Sequence, residues 1–365
     1  MAALLESLEP LVTSLREDGY TVIGPVVADG AVVLAELESA AELPYGWGSE
    51  VAPGGYRLRR RRDRAAFAHQ AGPQSWKSYL HPPRVPLWTV HRKDFTITEP
   101  EADEEPPRYA FLGVRPCDLR AIAVQDRVLG GVDGAYARRR AAAFLVAVDC
   151  TEPGPTCFCA SAGGGTAAGD GADLVLTELV DGENVSYLAE PRSAAGRRRL
   201  ASLPQRPATA AEMDRARGEV AAAAERMGRS LPATDLRTLL AERLDAGHWA
   251  QVAQRCLSCG NCTMVCPTCF CTTVEDTSDL TGEVAGRWLR WDSCFDLDFS
   301  YLHGGAVRRS ARSRYRQWLT HKLGTWHDQF GESGCVGCGR CIVWCPVGID
   351  LTEEVAALAK EEAGP

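Results

Sequence analysis

The sequence lacks an apolar stretch long enough to cross a bilayer. Its longest run, AAAFLVAV at 141–148, is closed by Arg140 and Asp149, whereas a membrane span needs about 20 such residues. No membrane partner is expected. A basic leader ending in small residues is also missing: the opening MAALLESLEPLVTSLRED carries acids among its apolar residues and predicts an amphipathic helix. The expected location is cytoplasmic. Positive charge is not in excess either, and a formal net charge of −8 argues against nucleic acid as a partner. Local basic runs at 57–62, 138–140, 197–199 and 308–316 read as solvated faces, and the acidic run EPEADEEPP at 99–107 as an exposed loop. The chain has no phosphate loop, no HExxH and no GxSxG. Gly163, Gly165 and Ala168 fit GxGxxA, but the stretch follows a cysteine loop and not the strand that a dinucleotide site requires. His303, His321 and His327 are expected in surface or packing roles. No catalytic residues are predicted.

What the chain has in quantity is cysteine. Fifteen cysteines, an odd number, in a chain expected in a reducing compartment point to metal sites and not disulfides. Eight fall in two runs of one spacing, CLSCGNCTMVCP at 256–267 and CVGCGRCIVWCP at 335–346. Three cysteines set two residues apart wrap one short loop around three corners of a cubane cluster. The fourth corner must be filled from elsewhere, and in two-cluster ferredoxins the last cysteine of each run ligates the other cluster. That rule assigns Cys256, Cys259, Cys262 and Cys345 to one 4Fe-4S cluster, and Cys335, Cys338, Cys341 and Cys266 to a second. Gly260, Gly337 and Gly339 are expected to bring backbone amides near the sulfides, and Pro267 and Pro346 to redirect the chain where each loop ends. Structural zinc is the competing reading, but two runs of four thiolates exceed what one tetrahedral ion needs.

Ahead of these runs, YAFLGV (109–114), CDLRAIAVQDRVL (117–129) and AAFLVAVDC (142–150) read as strand, helix and strand. DLVLTELV and NVSYLAE, either side of DGE, add a hairpin. Beyond SLPQRP the text turns to Ala, Glu and Arg at helical spacing over 209–227 and 235–255, and DLTEEVAALAKEE forms a last helix capped by Asp350 or Thr352. The expected organisation is an α/β domain over 1–205 and an α-helical dicluster ferredoxin domain over 206–365. The 335 − 266 = 69 residues between the runs, with RYRQWLTHKL among them, favour the helical kind of ferredoxin. Cys117 and Cys150 fall at ends of neighbouring parallel strands, with Cys157 and Cys159 close behind. These four are expected either to hold a third iron-sulfur cluster or to pack as small hydrophobes. Cys269, Cys271 and Cys294 lack a fourth thiol and are expected to pack, to line a cluster pocket, or to join a site completed by another residue.

The segments GVRPCDLRAI, VDCTEPGPTCFCAS, CLSCGNCTMVCPTCFCTTVED, RWDSCF and HKLGTW with GCVGCGRCIVWCPVGIDL extend the comparison over nearly the whole chain. In them the sequence resembles the iron-sulfur β subunit of cytoplasmic nickel-iron hydrogenases of the sulfhydrogenase type. It is also similar to the corresponding iron-sulfur component of the anaerobic sulfite reductase, which looks like a member of the same family. The resemblance implies a non-catalytic electron-transfer subunit of an NAD(P)-linked oxidoreductase complex. Its partners would be a flavin subunit that exchanges hydride with a nicotinamide nucleotide through FAD, and hydrogenase small and large subunits holding the nickel-iron centre. The chain itself lacks the CxxC pairs at both ends that mark a nickel-iron large subunit. The hydrogenase and sulfite reductase readings stay open at this point, as does a scaffold role in which clusters mainly hold the fold together.

Overall fold

The run Tyr109–Val114 is apolar on both of its faces, which suits a strand covered on both sides. In the computed structural model, which describes residues 2–99 and 105–361, it lies inside an eight-stranded sheet. Across the sheet the order is Arg206–Pro207, Ala3–Leu5, Asn184–Pro191, Leu174–Asp181, Phe144–Val148, Tyr109–Val114, Thr21–Ala28 and Ala31–Glu36. The four strands from Leu174–Asp181 to Thr21–Ala28 pair in parallel, and the flanking pairs are antiparallel. The helix Pro116–Leu129 makes the predicted crossover, with Pro116 in the first turn where a missing N–H costs nothing.

Alternation along the strands sends Leu112 and Val146 to one core, with Leu8, Leu11 and Leu15 of the helix Glu9–Glu17. Phe111 and Leu145 face the opposite core, with Leu119, Ile122 and Trp76. A third core gathers Trp249, Trp318, Leu319, Leu323, Val355 and Leu358, and receives Phe158 and Ala162 from the first half of the chain.

Three expectations change. The chain start is not one helix: Ala3–Leu5 forms a strand between Tyr187–Ala189 and Arg206–Pro207, and the helix begins only at Glu9, ahead of Pro10. The helix expected over 235–255 is two, Leu236–Glu242 and His248–Arg255. The region beyond 205 is not all-helical. Between the cysteine runs it holds the hairpin Thr272–Ser278 and Val284–Trp291, which joins Arg84–His91 and Ile97–Thr98 in a four-stranded sheet. Strands from both sides of residue 205 therefore share one sheet. Cross-strand bonds fix this hairpin, with Arg287 Nε to Asp276 Oδ1 at 2.6 Å and Trp288 Nε1 to Thr277 Oγ1 at 3.0 Å. Of the acidic loop, residues 100–104 lie outside the described residues.

Other expectations hold locally. Thr209 and Glu212 form a capping box on the helix Ala210–Glu225. Asp350, not Thr352, caps the last helix, Leu351–Lys360.

Candidate metal centre

The helix His248–Arg255 delivers the chain to Cys256, and Gly260, at φ +75°, turns it into the short helix Asn261–Met264. A Cβ on Gly260 would lie 3.1 Å from the Ser293 hydroxyl. Cys256, Cys259 and Cys262 together with Cys345 line a first cavity of about 460 Å³. Its remaining wall is apolar and aromatic, from Phe295, Tyr315, Trp318 and Leu351. Backbone N–H groups donate to two of its sulfurs, Ser258 to Cys256 at 3.4 Å and Ile349 to Cys345 at 3.3 Å. Cys259 is the exposed member of the set.

Cys266, Cys335, Cys338 and Cys341 line a second cavity of about 440 Å³, with Thr268, Trp318, Leu319 and Lys322. The two runs interlock as the spacing predicts, each sending its last cysteine to the cavity of the other. Asn261 Nδ2 donates to the Trp344 carbonyl at 3.0 Å and ties the loops together.

Cys117, Cys150, Cys157 and Cys159 line a third cavity, of about 380 Å³. It forms where the ends of the parallel strands meet the loop Thr156–Cys159. The ferredoxin loop packs directly on that loop, with Phe158 N donating to the Gly337 carbonyl at 2.9 Å. Gly337 and Gly339 take φ of +69° and +73°, and a Cβ on either would sit 2.4–2.5 Å from the backbone of Thr156 or Cys159. Close approach of protein to protein, and not only access to sulfide, thus dictates these glycines. Arg340 reinforces the junction by pairing with Asp118 at 2.8 Å, where both side chains are 5% exposed or less.

The cavities share walls. Cys341 lines the first and second, and Cys338 the second and third. Pro116 and Gly165 line both the third cavity and an open crevice floored by the glycine loop 164–169.

Burial pushes the thiols of Cys117, Cys262 and Cys341 well up, those of Cys159 and Cys335 up to about 12, and that of Cys157 up to about 11. A bare thiolate is therefore costly here, and the positive charge of bound iron is what these sulfurs need. Cys266 is the exception: a hydrogen bond from Cys269 holds it well below the usual range against the effect of burial, with help from Lys322 and Thr268. Among the described residues no three Cys, His, Asp or Glu side chains converge on a single ion. Four sulfurs ringing a cavity fit a multi-iron core and not one zinc.

Cys269, Cys271 and Cys294 line none of the three cavities. Cys269 bonds Cys266, and its carbonyl accepts from Lys77 Nζ at 3.1 Å. Burial raises Cys271, and raises Cys294 to about 12. Lys77 and Lys322, both buried, flank this segment. Sequence reasoning missed both lysines, since a lone lysine carries no signal of burial.

Residues 255–349 match the model of the 4Fe-4S dicluster domain family. The chain is 32% identical over 279 residues to sulfhydrogenase 2 subunit beta of Pyrococcus furiosus, a match spanning 75% of this chain and 79% of that protein. No solved structure matches. Among the described residues no helix is long and apolar enough to cross a membrane. With the dicluster match lying over the interlocked cysteine loops, the chain belongs to the hydrogenase β-subunit family, as an iron-sulfur subunit.

Proposed function

We propose that this chain is the electron-relay subunit of a cytoplasmic nickel-iron hydrogenase complex. One cluster would be held by Cys256, Cys259, Cys262 and Cys345, a second by Cys335, Cys338, Cys341 and Cys266, and a third by Cys117, Cys150, Cys157 and Cys159. When bound, a 4Fe-4S cluster takes up and releases one electron with little rearrangement. The observation that carries the reading is the sharing of walls: Cys341 separates the first cavity from the second, and Cys338 the second from the third. Three sites in series make a route with two ends. One end is the surface at Cys259, beside Leu257, which is 64% exposed. The other is the crevice that meets the third cavity at Pro116 and Gly165.

The protein's part is to hold the sulfurs, donate N–H groups to them and keep water away with Phe295, Trp318 and Leu319. The name of the relative supports hydrogen as the substrate of the assembled complex. The small and large subunits would carry the nickel-iron centre. A flavin subunit with FAD would exchange hydride with NAD or NADP.

The test is Cys259→Ser in the assembled complex. Loss of hydrogen-dependent nicotinamide reduction with the complex intact is expected. Disassembly with normal activity of the freed partners would instead establish a scaffold. For the third site, Cys157→Ser in the full-length chain is expected to remove about four irons per chain, and an unchanged iron content would exclude it.

A further inference from the structure

Helix Ala311–Thr320 does not continue regularly. It widens at His321–Thr325 into a π turn before Trp326–Phe330, a kind of irregularity that recurs at functional sites. The turn points Lys322 inward, 6% exposed, into the wall of the second cavity. Its Nζ donates to Thr268 Oγ1 at 2.7 Å and to the Gly334 carbonyl at 3.3 Å. Thr268 Oγ1 in turn lies 3.2 Å from Cys266 Sγ.

Among the described residues no carboxylate pairs with Lys322; its charged neighbours are the sulfurs of Cys266, Cys269 and Cys335. The other buried cation near this cavity, Arg340, is matched by Asp118. A buried ammonium with no acid partner is costly unless something anionic sits beside it. A cluster bound by four thiolates is such an anion, and it gains a further negative charge on reduction. The first cavity has no charged side chain in its wall. An uncompensated positive charge stabilises the reduced form of the cluster nearest to it.

Resting on the cluster assignment above, we propose that Lys322 is a positioning residue that sets the reduction potential of the second-cavity cluster above that of the first-cavity cluster. An electron entering at Cys259 then runs downhill to the middle of the relay and is retained there. Lys322 touches no reacting group. It acts through charge and through the Thr268 hydroxyl.

The test is a potentiometric titration of the full-length, iron-loaded chain followed by electron paramagnetic resonance. Lys322→Met and Lys322→Gln are expected to lower one midpoint potential and leave the others in place, while Lys322→Arg, which keeps the charge, retains it. If iron content is full and no midpoint moves in either neutral variant, the proposal is overturned while the relay reading stands. If the unsubstituted chain binds no iron, the relay reading falls first. Should the neutral variants lose a cluster, Cys259→Ala decides without touching Lys322. Removing the first-cavity cluster must delete the lower-potential signal of the ferredoxin pair, and deletion of the higher one overturns the proposal.

Discussion

Substituting Gly337 by alanine probes the contact on which the series arrangement depends. The added Cβ would lie 2.5 Å from Cys159 Cα, 2.6 Å from Cys159 N and 2.7 Å from Phe158 C. Carbon atoms rest at about 3.5–4.0 Å, so the two loops must part by about 1 Å. The left-handed backbone at φ +69° adds about 1–2 kcal/mol for an L side chain. Loss of the 2.9 Å bond from Phe158 N to the Gly337 carbonyl adds about 1 kcal/mol. A destabilisation of about 2–3 kcal/mol is expected. With Cys157 and Cys159 displaced, loss of about four irons per chain should accompany it. Iron and acid-labile sulfide per chain, with thermal melting, are the assays. Gly331→Ala is the control, since Gly331 has a similar φ of +76° and no atom within 4 Å of the added carbon. It should show only the backbone cost, at full iron content. If Gly337→Ala matches this control in both assays, the packing of the two loops is not what the distances imply.

Three further outcomes are expected. Asp118→Asn and Arg340→Met each strand a buried charge and should cost about 3–5 kcal/mol alone, while the double variant should fall short of their sum by more than about 1 kcal/mol. Sums that add to within about 0.5 kcal/mol in urea unfolding would refute that coupling. Glu178 is buried beneath two backbone donors, Ala66 N at 2.7 Å and Phe67 N at 3.0 Å, and burial raises its carboxyl to about 7. Its folded form binds the proton more tightly than the unfolded form, so stability should fall by about 3 kcal/mol as pH rises from 4.5 to 7. Glu178→Gln should flatten this slope in unfolding midpoints taken at pH 5 and pH 7.5, and an unaltered slope would count against the assignment. Asp350→Ala removes the cap on Thr352 N and the 2.7 Å partner of Arg229. It should lower stability by about 2 kcal/mol in the same assay.

The cysteine loops are legible in the sequence because ligand spacing is local: three sulfurs and a glycine turn lie within a few residues. The strand-helix-strand unit is legible because Phe111, Leu145 and Val146 are buried on both faces of their strands, leaving long apolar runs. The hairpin 272–291 is not. It is largely solvated, it is rich in polar residues, and its sheet partner Arg84–His91 lies far back along the chain. Ala3–Leu5 reads as helix because three residues carry no period, and pairing with Leu188 overrides local preference. Lys322 is hidden within RYRQWLTHKL because a lysine reads as solvent-facing until its neighbours are known. The basic runs are partly structural. Arg61 bridges Asp63 and Glu152 at 2.7 Å, and Arg312 and Arg314 cap backbone carbonyls, contacts set by tertiary position alone.

The sheet that draws strands from both halves also sets a timetable for biosynthesis. Arg84–His91 leaves the ribosome 284 − 91 = 193 residues before Val284, where its partner strand begins. At about 5–20 residues per second the wait is about 10–40 s. Throughout it the nascent chain carries an open strand edge of the sort that pairs with stray chains. The first cysteine set closes only with Cys345, so iron insertion follows translation, and a cell making this protein must shield the unfinished edge until then.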